Sequence, residues 1–142
     1  MIYDDLDRHL PAAGSIERAV VPMGMYLAWC VNLQLTGQAL EEEAGALVLR
    51  VRYREKTGSE LLLAACGGAL DGRWLNEAGR RFTDEYYKGY LADFRSVFGA
   101  AVYDVEDDWD HYDRLAPVLT RRYMGGRGQR QPGSRRWWKF WK

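Results

Sequence analysis

The sequence predicts a mostly α-helical fold, a single compact domain of four to five helices around a buried central helix at about Val20–Leu35. Three observations lead there. The stretch VVPMGMYLAWCVNLQL carries apolar or small side chains on every side and no charge, as a helix buried on most faces would. Phe82, Tyr86, Tyr90 and Phe94 recur every four residues, an aromatic stripe at helical spacing. Ala39 to Lys56 opens on Glu41, Glu42 and Glu43 and closes on Arg50, Arg52, Arg54 and Lys56, the charge order a helix macrodipole favours.

Taken in order, Met1 to Gly14 reads as an extended lead-in ended by Pro11 and Gly14. Ser15 can cap a helix with Glu17 in its first turn. Pro22 belongs near a helix start, because it has no N–H to donate inside one. Gly24 and Ala28, four apart, allow another element to come close, and Thr36-Gly37 ends the helix. Over Leu49 to Arg54 the strict alternation offers a strand as the rival, while length and end charges favour helix. Ser59 to Ala65 is a short apolar helix closed by Cys66-Gly67-Gly68. Asp71-Gly72 marks a turn, Asn76 caps a second long helix, and Gly99 ends it. Asp107 or Asp108 can cap a last helix with Trp109, Tyr112, Leu115, Leu119 and Tyr123 on one side. Pro117 should kink that helix or end it early.

A chain of 142 residues is the size of one domain with one core. Hydrophobic residues at 47% and charged ones at 28% match a globular rather than a disordered chain. The zero net charge hides an asymmetry. Six of the 20 basic residues and none of the 20 acidic ones fall in 125–142, so positions 1–124 carry a net −6. Two regions follow: a helical globular domain over 1–124 and a basic, aromatic tail over 125–142, with GGRGQRQPGS as a linker and RRWWKFWK at its end. An acidic body disfavours nucleic acid, since phosphate contacts need the opposite sign. The N-terminus has no signal-peptide core and the Val20–Leu35 stretch is too short and too polar at its end for a membrane span, so a cytoplasmic protein is expected. Cys30 and Cys66 sit in apolar surroundings and read as buried free thiols.

Four separated blocks resemble a family of small, uncharacterised bacterial proteins: Tyr3-Asp4-Asp5, Gly24 to Trp29 (GMYLAW), Leu75 to Phe82 (LNEAGRRF) and Tyr103 to Asp113 (YDVEDDWDHYD). In that pattern a Thr-His pair precedes the glycine of the first helix; Val21-Pro22-Met23 stands there in this chain. The resemblance supplies no catalytic residues. In size, polarity and helical character the chain is similar to immunity proteins that guard bacteria against toxins.

The most unusual stretch is the acidic and aromatic block Tyr103, Asp104, Glu106, Asp107, Asp108, Trp109, Asp110, Tyr112 and Asp113. A calcium loop of the EF-hand kind fails: counted from Asp104, the positions that need Gly and Glu hold Trp109 and Leu115. A capped, solvated helix end explains the block structurally. Functionally, negative charge steers a basic partner while Trp and Tyr supply anchors. The expected function is therefore an immunity or antitoxin-type binding protein with no catalytic residues and no cofactor. Its contact surface would be the block above with Tyr3, Asp4 and Asp5 nearby, and its partner a basic toxin such as a nuclease. Alternatives are a small metal-dependent hydrolase using Asp residues with His9 or His111, a Cys66–His111 nucleophile pair, and a membrane-surface adaptor acting through RRWWKFWK. Docking of that tail onto the acidic body is the plainer fate of its aromatics.

Overall fold

In the computed structural model, which describes residues 1–130 and side chains as far as Gly125, the chain begins with a strand and then becomes helical. Strand β1 (Ile2–Asp5) turns directly into α1 (Leu6–Ala13), followed by α2 (Ile16–Ala19), α3 (Val21–Asn32), α4 (Gln38–Arg52) and α5 (Gly58–Ala65). Strand β2 (Ala69–Asp71) pairs antiparallel with β1, matching Asp4 to Leu70 and Asp5 to Ala69, with a register shift between Ile2 and Asp4. A 3₁₀ turn at Gly72–Trp74 leads to α6 (Glu77–Tyr86), a second at Tyr87–Gly89 to α7 (Tyr90–Phe98), and a third at Val102–Asp104 towards α8 (Trp109–Arg130). The fold is thus mostly helical with one small two-stranded sheet. None of the described helices is long and apolar enough to cross a membrane.

Local chemistry explains most of these boundaries. Ser15 accepts from Arg18 N at the start of α2, and Asn76 accepts from Gly79 N at the start of α6. Thr57 and Glu60 form a reciprocal capping box on α5: the Thr57 hydroxyl accepts from Glu60 N, and the Glu60 carboxylate accepts from Thr57 N. Pro22 lies in the first turn of α3, where its missing N–H costs nothing.

The side chains from Val21 to Val31 are all buried. Helix α5 crosses α3 at Gly24 and Gly58, where no side chain fits. A Cβ on Gly24 would stand 2.6 Å from Ser59 N, and one on Gly58 2.9 Å from the Cβ of Ala28. On another side Tyr26 meets the aromatic stripe: its ring lies 5.0 Å from those of Tyr87 and Tyr90, and its hydroxyl 2.9 Å from Thr83 Oγ1. Trp29 packs on Phe82 and Tyr123 and donates to Thr120 Oγ1. Leu40, Val48 and Val51 of α4 and Tyr112, Leu115 and Leu119 of α8 complete the core. Both cysteines are free and buried.

Several expectations need correction. The lead-in is extended only to Asp5, which accepts from Arg8 N and caps α1; Gly14, at φ 85°, closes that helix. The helix favoured over a strand does form across residues 48–52, but it ends at Arg52 rather than running to Lys56. The long helix from Asn76 is broken at Tyr87–Gly89. Helix α8 neither ends nor breaks at Pro117. That residue is exposed, so the Asp113 carbonyl that loses its donor opens to water. The helix runs on to Arg130, into the stretch expected as linker. RRWWKFWK lies outside the described residues.

Candidate functional site

Turning from β1 into α1 folds the chain back on itself and carries His9 over Asp4. Both side chains are buried, Asp4 at 5% exposure and His9 at 4%. His9 Nε2 is 2.8 Å from Asp4 Oδ2, and the same oxygen accepts from the Tyr87 hydroxyl at 2.6 Å. Asp4 Oδ1 accepts from the backbone N–H of Asp5 at 2.9 Å. On the far side of the imidazole, Nδ1 is 2.5 Å from the Tyr103 hydroxyl. Four elements therefore meet at one buried polar cluster: β1, α1 and the 3₁₀ turns at Tyr87–Gly89 and Val102–Asp104.

The electrostatics of this cluster bear on its carboxylate and its two phenols. Burial pushes the Asp4 carboxyl upward, but hydrogen bonds from His9 and Tyr87 outweigh it and hold Asp4 below the usual carboxylate range. An ionised Asp4 requires a proton on His9 Nε2. In the neutral ring Nδ1 then accepts from Tyr103. Burial, with the negative charge of Asp4, raises the Tyr103 and Tyr87 phenols. These are held as neutral hydrogen-bond donors, so neither is primed as a nucleophile.

Above the cluster opens a hollow of about 580 Å³, lined among others by Tyr3, Arg8, Thr83, Asp84, Lys88 and Leu91. The Tyr3 hydroxyl donates to Asp84 Oδ1 at 2.6 Å, and Arg8 donates to the Tyr3 carbonyl at 3.0 Å. No local pattern announces this site. Tyr87 lies 83 positions from Asp4 and His9 lies 94 from Tyr103, so only the folded chain brings them together.

The acidic block, by contrast, is spread from the 3₁₀ turn at Val102–Asp104 to the first turns of α8, and the fold already uses much of it. Asp104 pairs with Arg18, which also donates to the Tyr103 carbonyl. Asp113 takes a two-pronged contact from Arg54 at 2.7 and 3.0 Å, and that guanidinium holds its carboxyl below the ordinary range. Arg54 adopts φ 63° just beyond α4 and lies 4.8 Å over the Trp109 ring. Asp108 accepts from His111 N at 2.8 Å as the cap of α8, and this backbone bond lowers its pKa. Asp107 lies half-buried beside the start of α5. Burial raises its carboxyl, although the hydroxyls of Ser59 and Thr57 pull the other way.

Tyr112 is buried, with its hydroxyl accepting from Asn32 and burial pushing its pKa up to about 12. Trp109 is half-buried. Glu106 and Asp110 are exposed and enter no ion pair among the described residues. Of the Tyr3-Asp4-Asp5 block, Tyr3 faces the hollow, Asp4 is buried and Asp5 caps α1. His9, in contact with both Asp4 and Tyr103, links one residue of each block.

One group among the described residues has metal-ligand geometry: Glu106, Asp108 and His111 each offer an atom within 4.8 Å of the others. His9 is not part of it. Cys66 and His111 share no hydrogen bond, and burial pushes the Cys66 thiol up to about 12, far from a reactive thiolate.

A family model described as a domain of unknown function (DUF7832) matches residues 2–106. The chain belongs to that family. The matched span contains the whole Asp4, His9, Tyr87 and Tyr103 cluster, and stops before Asp108, Asp110, His111 and Asp113. No curated protein and no solved structure matches the chain.

Proposed function

We propose that this protein acts by binding, as a cytoplasmic immunity or antitoxin-type inhibitor that occludes the active site of a basic toxin. Its contact face is the Tyr103 to Asp113 segment, with Glu106, Asp108 and Asp110 as the outward charges. The observation that supports this reading most is the pair Glu106 and Asp110, exposed just before α8 and in its first turn, with no ion pair to either among the described residues. Such a face steers a basic partner into contact. Trp109, half-buried with Arg54 over its ring, is the aromatic that lies between those two charges in the sequence. Co-expression with the toxin encoded beside it should restore growth, and the two proteins should co-elute. Changing Glu106, Asp108 and Asp110 to their amides should slow association and flatten its salt dependence; association that ignores the change removes this face from the account.

A second reading, a small metal-dependent hydrolase, draws on Glu106, Asp108 and His111. It expects stoichiometric metal in purified protein and its loss in His111→Ala. Metal-free protein from a metal-supplemented culture would end it.

A further inference from the structure

We propose that the hollow above Asp4 and His9 is a binding site for a small carboxylate with an aromatic or apolar body. This goes beyond the toxin-binding reading and does not depend on it. The hollow's volume of about 580 Å³ lies within the span of sites that enclose small molecules, roughly 300–1,000 Å³. Arg8 and Lys88 border it, and neither has a carboxylate within ion-pair distance among the described residues. Arg8 spends one N–H on the Tyr3 carbonyl and keeps its others.

The hollow's two acids, Asp4 and Asp84, equal the two cations in number, but both already accept hydrogen bonds from within the protein and neither pairs with Arg8 or Lys88. Asp4 is buried and already accepts three hydrogen bonds from His9, Tyr87 and the Asp5 backbone. Asp84 accepts the Tyr3 hydroxyl on one of its oxygens. Arg8 and Lys88 thus keep donors that neither acid takes up, and the remaining wall is aromatic and aliphatic, with Tyr3, Tyr87 and Leu91. Such a wall suits a ligand with a flat or apolar body and one anionic end. A fully hydrated inorganic anion would leave it uncovered.

The test titrates benzoate into isotope-labelled full-length protein and follows backbone amide resonances. Saturable shifts centred on Tyr3, Lys88 and Tyr103 are expected, with neutral benzamide weaker by about tenfold. Lys88→Gln and Arg8→Gln should each weaken benzoate by a similar factor without changing Tm, and Lys88→Arg should keep it. Inorganic phosphate should bind more weakly than benzoate. The absence of saturable shifts, equal binding of benzamide, phosphate as tight as benzoate, or affinity unchanged in both charge variants would each overturn the proposal. Should a variant fail to fold, the contrast between benzoate and benzamide on the unaltered protein decides.

Discussion

His9 Nε2 and Asp4 Oδ2 lie 2.8 Å apart with both side chains withdrawn from water, and the Tyr87 hydroxyl reaches the same oxygen. This contact joins the first strand to the first helix and to the turn between α6 and α7. Asp4→Ala would leave the imidazole N–H and the phenol O–H without an acceptor in a buried place. It should cost about 3 kcal/mol in chemical denaturation at neutral pH. A loss under about 0.5 kcal/mol would show that water replaces the carboxylate freely.

The same cluster dictates an acid limb. Asp4 has a folded pKa below that of the unfolded chain, so as pH falls the unfolded state takes up the proton first. The stability Asp4 contributes is present above about 3.9, the unfolded carboxylate value, and is lost as pH drops through the lower folded one. Tyr87→Phe removes a donor to Asp4 and should move the acid unfolding midpoint to higher pH. Tyr103→Phe acts one residue away, through His9, and should move it less. Equal midpoints in both variants would separate the phenols from this effect.

Where α5 crosses α3, Gly58 should tolerate no side chain at all. The Cβ of Gly58→Ala would stand 2.9 Å from both Cβ and N of Ala28, against helical backbone that cannot swing aside. A loss of about 3 kcal/mol, or failure to fold, is expected. Gly45→Ala provides the control: its nearest neighbour would be a Glu41 carboxylate oxygen 3.8 Å away, so stability should hold. Denaturant midpoints for the two variants check this directly.

What could be read from the sequence was what local chemistry decides. Ser15 and Asn76 announce their helices because a cap acts within three residues, and Gly24 with Ala28 marks a close crossing whose partner proves to be Gly58. The β1–β2 pair escaped notice because Ala69–Asp71 is three residues long, too short for alternation to register. Helix α1 was hidden by Pro11, which reads as a stop and sits within the helix instead. The stripe of Phe82, Tyr86, Tyr90 and Phe94 conceals the break at Tyr87–Gly89, since its aromatics continue on both sides. Tyr87, one position off that stripe, is the residue the break turns towards Asp4. For the acidic block the residue types were legible but their partners were not. Arg18 and Arg54 reach Asp104 and Asp113 from 86 and 59 positions away.

Asp107 should behave in the opposite sense to Asp4. Burial raises its folded pKa, with Glu60 and Asp108 adding to the rise against the pull of the Ser59 and Thr57 hydroxyls. A carboxyl whose folded pKa lies above the unfolded one favours the native state while protonated, and that contribution is lost as pH rises through the folded value. At neutral pH the ionised Asp107 therefore weighs against folding. Asp107→Asn keeps the shape, removes the charge and should raise Tm by about 2 °C at pH 7. Below the unfolded carboxylate pKa the two proteins should melt together, because both side chains are then neutral. The comparison needs only thermal melts of the two proteins at pH 7 and near pH 3. A gain that persists unchanged in acid would trace the effect to packing rather than to charge.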